Sequence, residues 1–151
     1  MRPPQKRVNY KIRDKVEVCS KEEGFVGSYF KATIVSCLQN DKFVVRYENL
    51  VLDDASEDGA SEPLEEIIYR RELRPLPPRV RNPPEFRFNQ KVDVFDNDGW
   101  WLGEITSEKF RFENCYYHRV YFNTTDETIC YPCDRIRVHH EWIYGEWILE
   151  T

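Results

Sequence analysis

The chain has 151 residues, of which 40% are hydrophobic, 15% aromatic and 32% charged, and its formal net charge is −5. This composition supports a packed core rather than intrinsic disorder, and the net acidity suits a basic partner better than the phosphates of nucleic acid. No apolar run is long enough to cross a membrane, and no apolar signal segment opens the chain. The five cysteines without such a signal indicate reduced thiols in a cytosolic or nuclear compartment.

The first half of the chain has the alternating pattern of short β-strands, rich in β-branched and aromatic residues. An Asn-Asp turn signal at residues 40–41 precedes the third strand. The predicted strands are Lys15–Cys19, Tyr29–Val35, Phe43–Tyr47 and Glu65–Tyr69, with a fifth beginning at Leu73.

The second half repeats the first. In the second copy, Lys91–Val94, Trp100–Ile105, Val120–Asn123 and Arg135–Arg137 match Lys15–Val18, Tyr29–Ile34, Val45–Glu48 and Glu72–Arg74. Two copies of one strand unit predict an all-β protein made of two small, strongly bent barrels. Because each barrel is too small to bury much core alone, we expect the pair to pack as one rigid body.

A proline-rich connector divides the copies. Five of the nine prolines fall between Pro75 and Pro84, where they disfavour a helix or a central strand and favour a stiff, extended linker. The predicted organisation is a first barrel over residues 8–76, a linker over 77–86 and a second barrel over 87–148. The second barrel ends in a hairpin whose turn is Tyr144-Gly145, flanked by Trp142 and Trp147.

The acidic charge is concentrated in the first half. Eight acidic residues and no lysine or arginine lie between Glu48 and Glu66, so the rest of the chain is net positive. This segment is either a solvated loop that aids solubility or an acidic wall beside a binding groove.

Aromatic residues of the first copy flank strand ends that share one rim in a small barrel. Three rings and a carboxylate there would form a cage for a methylated ammonium, because ring faces attract cations. The alternative is that the rings are ordinary core or rim packing. The candidate cage residues are Phe25, Tyr29 and Tyr47, with Glu23, Glu48 or Asp53 beside them.

A second pocket is predicted in the other copy, with a shorter loop. Strand alternation sends adjacent tryptophans to opposite faces, so Trp101 is assigned to the core and Trp100 to the rim. The acids of this loop also suit an unmodified lysine or arginine. The candidate residues are Phe95, Asp96, Asp98, Trp100 and Phe122.

Other residues do not indicate catalysis, a metal or a cofactor. Cys130 and Cys133 form a single C-x-x-C pair, whereas structural zinc requires four ligands. The three histidines, which we expect to be exposed, lie near no nucleophile motif, and no glycine-rich phosphate loop precedes a helix. We therefore predict that the chain is not an enzyme.

The segments Glu22–Ala32 and Asp98–Gly103 resemble the openings of plant Agenet domains, and His139–Trp147 is similar to the end of a tandem Agenet unit. The resemblance covers residues 8–148 and implies a Tudor-like fold of the Royal superfamily. It further implies a chromatin reader that binds the N-terminal tail of histone three in the nucleus. In such readers the first barrel cages dimethylated lysine nine, and acids towards the second receive the unmodified start of the tail.

The resulting hypothesis is a monomeric reader of a methylated histone tail. Tyr29 stands where many relatives have tryptophan, which weakens the expected cation–π attraction. Two alternatives stay open: an RNA- or DNA-binding module, suggested by arginines around the linker, and a scaffold for a non-histone protein. The linker arginines are Arg70, Arg71, Arg74, Arg79, Arg81 and Arg87.

Overall fold

The computed structural model describes residues 8–19, 27–51, 62–80 and 85–149, and most of them lie in β-strands. The chain divides into two compact units, Met1–Leu76 and Pro77–Thr151. The predicted all-β class is confirmed. Within the described ranges, no helix is both long and apolar enough to cross a membrane.

The first unit is an antiparallel sheet in the order β5-β1-β2-β3-β4. A single 3-10 turn, Arg70–Glu72, connects β4 to β5. The described pairings leave β4 and β5 at opposite ends of this order, so the predicted barrel is an open one. The strands are β1 (Lys15–Cys19), β2 (Ser28–Cys37), β3 (Lys42–Val51), β4 (Pro63–Tyr69) and β5 (Leu73–Pro75).

The second unit repeats this sheet as β11-β6-β7-β9-β10, again with a 3-10 turn, Cys133–Arg135, before its last strand. It adds a short strand on β9 and a C-terminal hairpin. The repeated strands are β6 (Lys91–Asp96), β7 (Gly99–Ile105), β9 (Cys115–Phe122), β10 (Glu127–Pro132) and β11 (Ile136–Val138). The added strands are β8 (Phe110–Phe112), β12 (His140–Ile143) and β13 (Glu146–Leu149).

Two-residue turns join three of the second unit's hairpins. Both central residues of each turn have positive φ, as in the turns whose twist matches that of paired strands. Asparagine, aspartate and glycine tolerate this conformation best. The predicted Tyr144-Gly145 turn is confirmed, and Trp142 and Trp147 pair directly across it with ring centroids 4.9 Å apart. The turns are Asn97-Asp98, Glu113-Asn114 and Tyr144-Gly145.

Strand alternation gives each sheet a core face and an opposite face. The core face of the first unit is lined by Val16, Val18, Phe30, Ala32, Ile34, Phe43, Val45, Tyr47, Ile68 and Leu73. That of the second unit is lined by Phe86, Val92, Val94, Ile105, Val120, Phe122, Tyr131, Ile136 and Val138, with Trp101 packed against it. The assignment of Trp101 to the core is therefore confirmed.

The core of the second unit leaves no room for a methyl group at Gly103, where the first copy has Ala32. A Cβ there would lie 2.5 Å from Cγ1 of Val120 and 3.0 Å from the carbonyl oxygen of Tyr121. We expect Gly103→Ala to lower the free energy of unfolding by about 1–3 kcal/mol, the usual cost of overpacking. Urea denaturation followed by tryptophan fluorescence measures this loss. The neighbouring Glu104→Ala, on the opposite face of β7, is the control; an equal effect of both changes would refute the crowding.

Candidate ligand-binding site

A buried ion pair lies on the face of the first sheet opposite its core. Glu17 in β1 pairs across the sheet with Arg74 in β5, and both side chains are 2% exposed. Nε and Nη2 of Arg74 donate to Oε1 of Glu17 over 3.0 and 2.7 Å. The guanidinium carbon lies 3.5 Å from the centroid of the Tyr29 ring. An internal cation therefore already occupies one face of this predicted cage ring.

The other described residues of the predicted first cage have different surroundings. Tyr47 is opposite Ala32 in the β2–β3 register, so its ring points to the core face, edge-on to Phe30 at 6.4 Å. Tyr29 lies on the other face of β2, and the two tyrosines are therefore not brought together. Glu48 is exposed and forms an ion pair with Lys31, with Nζ and Oε2 3.2 Å apart. The remaining cage candidates, Phe25, Glu23 and Asp53, lie outside the described residues.

The second unit brings two of its predicted pocket residues together. Phe95 and Trp100 are direct cross-strand partners in β6 and β7, with ring centroids 5.2 Å apart at an interplanar angle of 61°. Both rings are only partly buried. The guanidinium carbon of Arg137 lies 4.1 Å from the Trp100 centroid, and Nε of Arg137 donates to Oδ2 of Asp93 over 2.9 Å. This arrangement combines a half-buried aromatic pair with an ordered cation.

Two other residues of the predicted second pocket, Phe122 and Asp96, are engaged elsewhere in the unit. Phe122 is buried on the core face, edge-on to Tyr131 at 6.0 Å. Asp96 accepts hydrogen bonds from the Tyr131 hydroxyl at 2.7 Å and from the backbone N–H of Asn97 at 2.9 Å. Burial and the Asp96 hydrogen bond raise the pKa of Tyr131, so its hydroxyl stays a donor. Asp98 is exposed in the turn beside Trp100.

A buried histidine extends the charged network of the second unit. Nδ1 of His139 lies 2.7 Å from Oδ1 of Asp93, and Nε2 lies 2.6 Å from Oε1 of Glu141. Burial lowers the pKa of His139, but the hydrogen bonds and charges of Asp93 and Glu141 outweigh it and raise the pKa above its ordinary value. Asp93 thus receives a donor on each carboxylate oxygen, one from Arg137 and one from His139.

Sequence reasoning missed these arginine–carboxylate–aromatic stacks, although the internal repeat carried the signal. An acid stands between two valines in both first strands, and an arginine ends the matching Glu72–Arg74 and Arg135–Arg137 segments. The expectation of exposed histidines was wrong, because all three are almost fully buried. Their exposed fractions are 1% for His118, 1% for His139 and 7% for His140.

Two of the proposed linker arginines, Arg70 and Arg74, make interactions within the first unit. Arg74 is buried against Glu17, and Nε of Arg70 lies 3.2 Å from Oδ1 of Asp41. The Arg70 guanidinium also stacks near the rings of Tyr10 and Phe43. Two of the six arginines are thus committed to interactions within the first unit, and Arg81 lies outside the described residues.

Two copies of one five-strand sheet, each with an arginine stacked on an aromatic ring of its second strand, define a tandem Tudor-like module. The Agenet domain family matches residues 13–78. The crystal structure of the AGD34 segment of Arabidopsis thaliana AGDP1 superposes with a TM-score of 0.79 and 34% identity, covering 92% of this chain and 88% of that one. The crystal structure of tandem Agenet domain 3-4 of ADCP1 superposes with a TM-score of 0.75 and 30% sequence identity, covering 93% of this chain and 87% of that one. The chain belongs to the Agenet domain family.

Full-length relatives are much longer than this chain. Protein Agenet domain (AGD)-containing P1 of Arabidopsis thaliana is 37% identical to this chain. The alignment covers 92% of this chain and 25% of that protein. DUF724 domain-containing protein 3 of the same plant is 35% identical over 88% of the chain, which spans 19% of it. Agenet domains are Tudor-like, chromatin-associated protein-interaction modules, and the family is not enzymatic.

Proposed function

We propose that this module binds the N-terminal tail of histone three in the nucleus, through a methylated lysine, with dimethylated lysine nine favoured. The observation that best supports this proposal is the partly exposed Phe95–Trp100 pair, whose ring centroids are 5.2 Å apart, with Asp98 exposed in the turn that joins their strands. Ring faces attract a methylated ammonium, and a nearby carboxylate accepts the N–H that mono- and dimethyl-lysine retain. The net charge of −5 adds long-range attraction for a basic tail.

The two units have unequal aromatic surfaces for such a ligand. Tyr29 and Tyr47 are 8% and 5% exposed, and both are packed within the first unit. Their replacement by alanine will therefore disturb the fold as well as any cage, because truncation of a buried ring leaves a cavity. Trp100 is the better position for a binding test, since its ring is only partly buried.

Trp100→Ala is expected to weaken binding of a histone-three peptide dimethylated at lysine nine by about tenfold, equivalent to loss of one good cation–π contact. Affinity for the unmodified peptide should change much less, because an ordinary ammonium is more strongly hydrated. Isothermal titration calorimetry with both peptides measures the two affinities. Tyr144→Ala is the matched control, because Tyr144 is an exposed aromatic residue in another turn of the same unit.

The proposal would be refuted by a Trp100→Ala variant that is folded and still distinguishes the two peptides as the parent chain does. Raised salt should weaken binding of both peptides, because exposed charge attraction is screened over about 10 Å at 0.1 M ionic strength. Asp98→Asn tests the carboxylate, and we expect it to reduce the preference for dimethyl- over trimethyl-lysine. Equal affinity of the parent chain for all peptides, independent of salt, would leave no support for a tail reader.

A further inference from the structure

The face of the first sheet opposite its core carries exposed apolar side chains on β3 and β4 that the tail-binding proposal does not use. Lys42 is opposite Tyr69 and Val44 is opposite Ile67, so strand alternation places all four side chains on this face. Ile67 is 61% exposed and Tyr69 is 41% exposed. Apolar side chains grouped in this way, rather than scattered singly, indicate a contact surface for a partner.

Two cations lie against the exposed tyrosine ring of this surface. Nζ of Lys42 lies 5.5 Å from the Tyr69 centroid, and the guanidinium carbon of Arg71 lies 4.7 Å from it. Arg71 is exposed in the 3-10 turn that follows β4. Because both cations contact the same ring, the charges and the apolar side chains belong to one surface. We call its five residues the β4 patch: Lys42, Val44, Ile67, Tyr69 and Arg71.

The acids on this face of β3 and β4 are already paired with other cations. Oε1 of Glu65 lies 3.5 Å from Nη2 of Arg46, and Oε2 of Glu48 lies 3.2 Å from Nζ of Lys31. Glu66, the remaining acid of β4, belongs to the core face by strand alternation. Among the described residues, no carboxylate forms an ion pair with either cation of the β4 patch. The patch therefore presents two positive charges that no described ion pair neutralises.

These charges favour an acidic ligand over a basic one. A lysine-rich tail would meet like charges at the β4 patch. The net charge of −5 opposes an acidic ligand from a distance, but salt screens that repulsion beyond about 8 Å at physiological ionic strength, so the cations at the contact decide. Two cations beside aliphatic side chains match a peptide with carboxylates and apolar groups better than nucleic acid, whose regularly spaced phosphates require a longer run of cations.

We propose that the β4 patch is a docking surface for a segment of a partner protein that combines acidic and apolar side chains. Carboxylates of the segment pair with Lys42 and Arg71, and its apolar side chains cover Ile67 and the aliphatic surface beside it. The Tyr69 ring already holds both cations near it, so binding orders them at a smaller entropic cost. The β4 patch is in the first unit and shares no residue with the proposed tail-binding site, so the two proposals can fail independently.

Fluorescence anisotropy with a labelled peptide in which aspartate and leucine alternate tests the proposal. One control peptide has asparagine in place of aspartate, and another has serine in place of leucine. Both controls should bind more weakly than the first peptide, because each lacks one of the two features that the β4 patch matches. Raised salt should weaken binding of the aspartate–leucine peptide more than that of its asparagine control. Undetectable binding of the aspartate–leucine peptide, equal affinity for all three peptides, or tighter binding of oligo(dT) would overturn the proposal.

Arg71→Glu should weaken binding of the aspartate–leucine peptide about tenfold, because an attraction becomes a repulsion. Arg111→Glu makes the same change of charge at an exposed arginine of the second unit and should leave the affinity unchanged. Ile67→Ser should weaken binding about fivefold through lost apolar contact, whereas Ile12→Ser, at a side chain 58% exposed in the same unit, should not. Thermal unfolding verifies that these variants fold. Equal losses in Arg71→Glu and Arg111→Glu would refute a site at the β4 patch, whatever the histone peptides do.

Discussion

Glu17→Ala will destabilise the first unit by about 3–5 kcal/mol, the cost of leaving a buried charge without its partner. The guanidinium of Arg74 is 2% exposed, and water cannot replace the carboxylate that accepts its two hydrogen bonds. The stack of Arg74 on Tyr29, now at 3.5 Å, loses the group that positions the cation. All four tryptophans lie in the second unit, so urea unfolding of the chain is monitored by circular dichroism and tyrosine fluorescence.

Two further variants show whether burial is the cause. Lys31 and Glu48 form an exposed ion pair in the same unit, with side chains 38% and 45% exposed. Glu48→Ala should therefore cost less than about 1 kcal/mol. In the double variant Glu17→Ala with Arg74→Leu, much of the stability should return, because no unpaired charge is then buried. Comparable losses for Glu17→Ala and Glu48→Ala would contradict this account.

His139→Gln will destabilise the second unit by about 2–4 kcal/mol near pH 6, and by less as the pH rises. A neutral imidazole has one N–H, whereas both ring nitrogens of His139 lie within 2.7 Å of a carboxylate oxygen, an arrangement that favours the imidazolium. Its pKa is raised by Asp93 and Glu141 against the effect of burial. The stabilisation is therefore complete below the unfolded-state pKa of about 6.5 and fades as pH passes the folded-state value.

The adjacent histidine, His140, provides a control because its pKa is shifted in the opposite direction. Burial is the largest effect on His140 and lowers its pKa, and the charges of His139 and Arg137 lower it further. The backbone of Val138 and the charge of Asp93 raise the pKa, but by less. Protonation of His140 therefore favours the unfolded chain, and His140→Gln should remove a loss of stability that appears as pH falls below about 6.5. Unfolding free energies of both variants from pH 5 upwards separate the two effects. If His139→Gln lost the same stability at every pH, the imidazolium would not be its source.

The strand repeat was predictable because apolar alternation depends only on local sequence. Val16 and Val18, and their counterparts Val92 and Val94, occupy the core as the period of two indicates. The added strand Phe110–Phe112 was missed, because three residues give too short a pattern. The small, strongly bent barrels expected from the repeat are open sheets in the described pairings. Rigid packing of the two barrels and a monomeric state stay predictions.

The candidate site was less predictable than the fold, for a physical reason. The sequence pattern predicts that Tyr29 and Tyr47 lie together at one rim. In the structure, Tyr47 is opposite Ala32 on the core face, and strand alternation places Tyr29 on the other face of β2. Equally, nothing local shows that Arg74 and Glu17, which are 57 residues apart, meet in the same sheet. Cross-strand register and burial depend on the whole fold. Only the adjacent strands of a tight hairpin, as with Phe95 and Trp100, bring predicted partners together reliably.

The Arg137 guanidinium that stacks on Trp100 also affects the affinity of this indole ring for a cationic ligand. The Trp100 ring lies against both the Phe95 ring and the Arg137 guanidinium, which leaves it little torsional freedom, so an arriving ligand need not order it. The Asp93 carboxylate, paired with Arg137 at 2.9 Å, offsets part of the positive charge that would repel a cationic ligand. The Trp100 site is therefore pre-organised. Because binding does not have to order the ring, we expect the gain in affinity to appear chiefly as slower dissociation of the ligand.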